Sequence, residues 1–171
     1  KTAWHAGISR WKNYRNLNIN SIGIELVNKG HRFGYEKFND LQIDKLIALC
    51  KNIKKKYNIK KNNILGHSDI SPLRKIDPGE KFPWKKLSKH NLGSWYKNLK
   101  NDLKQSKTVK IRNLFFKNLF KIGYRYFNLN MPKKSDRYII SAFQRRYTPR
   151  NVTGKLNQKT LIISDFLANS Q

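Results

Sequence analysis

The most constrained part of the chain runs from Gly66 to Trp84 and reads GHSDISPLRKIDPGEKFPW. A histidine, two aspartates and an Arg-Lys pair sit there among prolines and glycines that break regular structure and favour turns. The hydrophobic lead-in Asn63-Ile64-Leu65-Gly66 predicts a strand that delivers His67 at its end. Asp77 follows, pinned by the turn dipeptide Pro78-Gly79. Imidazole nitrogen and carboxylate oxygen are both zinc donors, and a rigid loop can bring them to one ion. Lys75 lies two residues before Asp77, so an extended backbone would turn both side chains to one side. A cation beside a metal adds like charge to a ligand cage. It makes sense where both flank an oxygen that becomes negative during a reaction.

Upstream, residues 1–20 mix aromatics, His5 and asparagines without a clear period, as an ordered loop does. Ser21 to Val27, SIGIELV, predicts a strand with Ile22, Ile24 and Leu26 on one face. Glu25 is then the only charge on a strand otherwise fit for burial, and buried carboxylates are rare unless paired or functional. From Asp40, read as an N-cap, to Tyr57 the positions Ile43, Leu46, Ile47, Cys50, Ile53 and Tyr57 follow helical spacing. Its lysines at 51, 54 and 55 read as a solvated face.

Residues 88–108 read as a connector, and after it the pattern is all-helical. Ile111, Leu114, Phe115, Asn118, Leu119 and Ile122 share one face, ended by Gly123 in a C-cap role. A second helix spans 135–147, capped by Ser135 or Asp136, with Tyr138, Ile139, Ala142, Phe143 and Tyr147 inward. A third runs from Asn157 to Ala168, with Leu161, Phe166 and Leu167 apolar. Three short helices can just support a core of their own.

Composition narrows the chemistry. The 171 residues carry a formal charge of +27, from 37 Lys and Arg against 10 Asp and Glu. Such a surplus suits a polyanionic partner, whether nucleic acid, anionic lipid or a cell-wall polymer, or records compositional drift toward lysine. A single cysteine, Cys50, excludes an internal disulfide and a cysteine-rich zinc cage. It falls on the apolar face of the first helix, as a buried, inert thiol does. No apolar run reaches the length of a membrane span. The chain opens on Lys1 rather than Met, so no leader can be read from it.

Three segments in order, AWHAG (Ala3 to Gly7), NINSIGIEL (Asn18 to Leu26) and GHSDISPLRKIDPG, resemble the zinc-dependent N-acetylmuramoyl-L-alanine amidases of the type 2 class. These are relatives of phage lysozyme-type amidases and animal peptidoglycan recognition proteins. The C-terminal part, with Leu119, Gly123-Tyr124, Ala142-Phe143-Gln144, Gly154 and Thr160, more loosely resembles the three-helix peptidoglycan-binding module appended to such enzymes. The resemblance implies an α/β fold, a mixed central sheet flanked by helices, plus a small all-α C-terminal domain. It divides the chain into a catalytic domain at 1–90, a linker at 91–108 and a peptidoglycan-binding-like domain at 109–171.

The resemblance also assigns roles. Zinc in the family is held by two histidines and an aspartate with a water in the fourth position; His67 and Asp77 match two of these ligands. Glu25 matches the acidic catalytic residue and Lys75 the active-site lysine. Trp4, His5 and Asn18 fall where the substrate cleft and its bracing loop are expected. His5 reads as a cleft residue and not a ligand, Asp69 as the cap of the turn after His67, and His31 and His90 as exposed side chains. The family's first zinc histidine lies upstream of AWHAG, and nothing here precedes Lys1. The expectation is therefore a chain that lacks an N-terminal part and, with one zinc ligand absent, binds zinc weakly and is nearly inactive as given, with a degenerate binder as the other reading.

The implied activity is hydrolysis of the amide joining N-acetylmuramic acid to L-alanine in peptidoglycan or muropeptides. The expected protein is a monomer of the bacterial cell envelope, in the periplasm or on the outer-membrane side, with the cytoplasm as alternative. A non-catalytic peptidoglycan binder is the competing function. A nucleic-acid role, prompted by the charge and by Arg145-Arg146-Tyr147, is not expected, because it leaves His67, Lys75, Asp77 and Glu25 unexplained.

Overall fold

The computed structural model describes residues 2–97 and 108–170, without the side chains of 108–110. The central part of the expected linker, 98–107, lies outside the described residues. Two short antiparallel strands, β1 (Arg10–Trp11) and β2 (Tyr14–Arg15), pair Arg10 with Arg15 and Trp11 with Tyr14. Among the described residues six α-helices follow: α1 (Asp40–Lys56), α2 (His67–Ile70), α3 (Trp84–Lys89), α4 (Thr108–Ile122), α5 (Asp136–Tyr147) and α6 (Gln158–Asn169). No helix among the described residues is long and apolar enough to cross a membrane.

Sheet content departs from expectation. Among the described residues the only sheet is the β1–β2 pair, inside the stretch read as a loop, and not a mixed central sheet. The segment 21–27 forms no strand, because its backbone finds no ladder neighbour among the described residues. Ile22, Ile24 and Glu25 are consequently exposed, so Glu25 is not a buried charge. The lead-in to His67 is likewise not a strand. It contains a 3-10 turn at Lys61–Asn63, and His67 opens the single helical turn α2.

The helices were legible. α1 buries Ile43, Leu46, Ile47 and Cys50 against Phe82, Trp84 and Leu87 at α3. Its cap is Asn39, whose side chain accepts the Leu41 N–H at 2.8 Å, one residue before the Asp40 expected. Tyr57, placed on the apolar face, is exposed where the helix ends. Burial raises the Cys50 thiol pKa, as suits an inert group. Leu92, inside the expected connector, is fully buried in the same cluster, and Trp95 packs against both clusters.

The second cluster centres on the C-terminal helices. Phe115, Leu119, Ile139, Phe143 and Ile163 are wholly buried, with Phe115 edge-on to Phe143 at 5.3 Å. Each such side chain contributes about 1.5–3 kcal/mol by leaving water. Tyr138 points outward at 44% exposure, because α5 turns its 138 position away from α4 and α6. Ser135 makes no side-chain cap. Asp136 instead accepts the Lys133 N–H at 3.2 Å and pairs with Arg112 at 2.6 Å. Asn157 caps α6 by accepting the Thr160 N–H at 2.9 Å.

This core does not stop at the C-terminal helices. Ala6, Trp11 and Leu17 belong to the same cluster. Gly123 ends α4 with φ +136°, and a Cβ there would lie 2.6 Å from the Trp11 ring. Its carbonyl accepts the Lys12 N–H at 2.8 Å. Gly123 is thus both helix terminator and seat for Trp11.

A buried ion pair joins the two clusters. Arg146 of α5 donates to the Asp69 carboxylate of α2, and both are almost fully buried. The guanidinium also lies over Trp84, 3.8 Å from the ring centroid. Removing one partner leaves the other charge buried and unpaired. Arg146→Met is expected to destabilise the chain by about 3–5 kcal/mol, read as a lower urea midpoint with an unchanged denaturant slope.

Candidate active site

The motif residues converge on α2 and the loop after it. Gly66, in extended conformation, turns the chain so that His67 begins α2, and the Ser71 N–H closes the turn on the His67 carbonyl at 2.9 Å. The Ser68 N–H then reaches across to the Asp77 carbonyl at 2.9 Å, tying the two ends of the loop together. His67 Nδ1 and Asp77 Oδ2 consequently face each other at 3.0 Å.

The other imidazole nitrogen decides what that contact means. His67 Nε2 lies 3.1 Å from the Ala6 carbonyl, which can only accept, so a proton on Nε2 would have a partner there. In that tautomer the Nδ1 lone pair would face a carboxylate oxygen. Two acceptors at that distance need a proton or a metal cation between them. The Asp77 side chain is 56% exposed, and the part that is covered opposes its ionisation. The His67 hydrogen bond and charge, with Lys75 nearby, outweigh this and hold its pKa below the usual carboxylate value. No group of three His, Cys, Asp or Glu able to hold a metal is present among the described residues. His67 and Asp77 bring together two atoms of the kind that bind zinc, where a catalytic zinc takes three protein ligands.

The 3–8 segment covers this pair. Arg74 Nη2 donates to the Ala6 carbonyl at 3.0 Å, beside His67 Nε2 at 3.5 Å. Ser71 Oγ donates to the Ile8 carbonyl. Gly7 has φ +57°, and a Cβ there would meet the Arg74 guanidinium at 2.7 Å. Asn18 is buried, and its Oδ1 accepts the N–H groups of His5, Ala6 and Gly7 at 3.0, 2.7 and 3.3 Å. That acceptor is fully engaged in holding the segment. His5 sets Nδ1 2.8 Å from the Ala3 carbonyl and Nε2 2.8 Å from Ser21 Oγ. Trp4 is 84% exposed and so is no part of the core.

Glu25 lies two residues beyond Gly23, which packs on His5, and its carboxylate makes no hydrogen bond or ion pair among the described residues. Lys75 is partly buried, its N–H bonded to the Ser71 carbonyl at 2.9 Å. The structure brings His67, Asp77 and Lys75 onto one loop, with Asn18 and His5 in the covering segment and Trp4 at its exposed start.

Sequence reasoning missed a brace on Asp77. Tyr35 donates its hydroxyl to the Pro78 carbonyl at 2.7 Å and accepts the Lys81 N–H at 2.9 Å. Burial pushes its phenol pKa up to about 12. His31, exposed as expected, also stacks on Tyr35 at 4.1 Å and pairs with Glu80 at 3.0 Å. Only the aromatic-rich stretch 31–38 hinted at this. Asp69 does cap its turn, accepting the Gly66 N–H at 2.8 Å, in addition to its pairing with Arg146.

Known proteins match this arrangement. The chain matches the N-acetylmuramoyl-L-alanine amidase family over residues 1–80. It is 34% identical over 173 residues to N-acetylmuramoyl-L-alanine amidase AmiD of Escherichia coli K12, covering 96% of this chain and 63% of that protein. It is 44% identical over 85 residues to 1,6-anhydro-N-acetylmuramyl-L-alanine amidase AmpD of Haemophilus influenzae, covering 49% of this chain and 44% of the relative. The chain thus spans less than two thirds of these relatives. A structure of E. coli AmiD in complex with the substrate anhydro-N-acetylmuramic acid-L-Ala-D-gamma-Glu-L-Lys superposes with TM-score 0.86 at 34% identity, covering 99% of this chain and 69% of that one. AmpDH3 of Pseudomonas aeruginosa superposes equally, with TM-score 0.86 at 31% identity, covering 99% and 70%. Its fold is that of these amidases, and the chain belongs to the N-acetylmuramoyl-L-alanine amidase family of the type 2 class.

Proposed function

We propose that this chain carries the greater part of a zinc-dependent amidase that hydrolyses the bond between N-acetylmuramic acid and L-alanine in peptidoglycan or muropeptides. The observation that carries the reading is the 3.0 Å approach of His67 Nδ1 to Asp77 Oδ2, two atoms of the kind that ligate zinc, inside an amidase fold. His67 and Asp77 would hold the zinc together with a further donor outside the described residues. When bound, zinc lowers the pKa of a water and polarises a carbonyl.

The chain's own groups supply the rest. The Ala6 carbonyl offers an acceptor to a proton on His67 Nε2, the tautomer that leaves Nδ1 free to ligate. Tyr35 fixes the Pro78 carbonyl and with it the direction of Asp77. Glu25, exposed and unpaired, takes the proton of the attacking water and later passes it to the departing alanine amine as the C–N bond breaks. Lys75 offsets the negative charge on the lactyl carbonyl oxygen. Exposed Trp4 presents a face on which a sugar or peptide can stack. The wider organisation of the chain belongs to this proposal too. The domain division at 91–108, wall binding by the C-terminal helices, a monomeric state and an envelope location complete it. The +27 charge suits a substrate whose stem peptides carry free carboxylates.

In a protein that supplies the further zinc donor, Glu25→Gln is expected to lower kcat on a muramoyl peptide by about 10²–10⁴-fold with zinc content unchanged. Cleavage at the wild-type rate by this variant would remove Glu25 from the mechanism. Zinc analysis with muropeptide cleavage, before and after chelation, tests the reading as a whole: loss on chelation and recovery with zinc supports it, and metal-independent cleavage rejects it.

Asp77 adds a pH signature. Its pKa is lowered in the folded chain, so its contribution to stability is fully present above the unfolded value, near ~3.9. That contribution is lost as pH falls through the lower folded value. Urea unfolding of wild type and Asp77→Asn should therefore differ most above about pH 4 and converge in stronger acid.

A further inference from the structure

Arg145 and Arg146 have no part in the proposed reaction, and in sequence they stood out only as a basic-aromatic cluster. The structure turns Arg146 inward, onto the turn that begins with His67. Its Nη1 donates to Asp69 Oδ2 and its Nη2 to the Ile64 carbonyl at 3.1 Å. Asp69 sits two residues after His67 and is 2% exposed. Its second oxygen accepts the buried Tyr124 hydroxyl, from just beyond α4. Arg146 thus grips the chain on both sides of His67, at residue 64 and at residue 69. The neighbouring Arg145 is close enough to act electrostatically on Glu80 and Tyr35, beside Asp77.

We propose that Arg146 is a positioning residue for the His67–Asp77 pair, acting through Asp69, and that the C-terminal helices therefore help build the site. The inference rests on the reading of His67 and Asp77 as zinc ligands. The geometry specifies the route. Asp69 and Ile64 fix α2, the fixed α2 aims the Ser68 N–H at the Asp77 carbonyl, and the two ligand side chains converge as a result. Only a guanidinium supplies this grip. It reaches two acceptors with separate nitrogens while lying flat over Trp84 at 3.8 Å, with Gly93 leaving room for Nη2. A lysine keeps the charge and loses the fork.

A purely structural ion pair and a positioning one differ in where their loss is felt. Amide hydrogen exchange and Zn²⁺ titration should be measured on the full chain as wild type, R146K and R146M. In R146K the Ser68 amide is expected to exchange at least about tenfold faster, while the Gly123 and Leu161 amides of the helical core change by less than about threefold. The Zn²⁺ Kd is expected to rise about 10–100-fold, as when a group supporting a ligand is removed. R146M should exceed R146K in both, and if it does not fold R146K alone decides. Equal acceleration at Ser68, Gly123 and Leu161 overturns the proposal, as does an unmoved Ser68 amide or an unchanged Kd. If wild type takes up no Zn²⁺ while Ser68 loosens selectively, the clamp stands and the zinc reading fails.

Discussion

A carboxylate and a guanidinium taken together out of water hold this molecule in one piece. Neither Asp69 nor Arg146 could be buried alone, because an isolated ion in a low-dielectric interior is very costly. Burial by itself would lower the Arg146 pKa. The Asp69 charge outweighs it and raises that pKa above its ordinary value, so the guanidinium stays charged. The same carboxylate, together with burial, pushes the Tyr124 phenol well up, keeping it a neutral donor. The two apolar clusters are thus linked by a charged bond between them, with the guanidinium lying over Trp84 of the first cluster.

Around that bond the site is built from short-range constraints of different kinds. The Ala6 carbonyl lies against one imidazole nitrogen of His67, Asn18 spreads one oxygen over three backbone amides, and Tyr35 fixes the far turn. None of these groups needs to touch substrate. Each removes a freedom that a loop of prolines, glycines and charges would otherwise keep, which is how a catalytic constellation avoids the entropy of ordering at the moment of reaction.

How much of this could be read in advance depended on distance along the chain. His67, Lys75 and Asp77 stood out because their chemistry is crowded into one short stretch, and α4, α5 and α6 because their apolar spacing is local. Arg146 and Asp69 are 77 residues apart, and Tyr35 and Pro78 are 43 apart. Neither separation leaves a periodic trace. The segment 21–27 shows the opposite failure. Its alternation is that of a strand, but a strand exists only with a neighbour to bond, and none lies among the described residues. Glu25 was singled out on a premise of burial that its exposed position does not share. Its assignment therefore stands on family resemblance alone.

The seat that Gly123 provides for Trp11 has a consequence for how such a chain can change over generations. At φ +136° and 2.6 Å from an indole, position 123 excludes every side chain, and the indole in turn is held by a loop more than a hundred residues earlier. The two ends of the polypeptide are thereby bound to a shared ancestry. Recombination that exchanged the C-terminal helices for those of a distant relative would have to bring a matching hairpin with them. C-terminal helical segments are often treated as beads that can be restrung; here the joint is a tenon cut for one mortise.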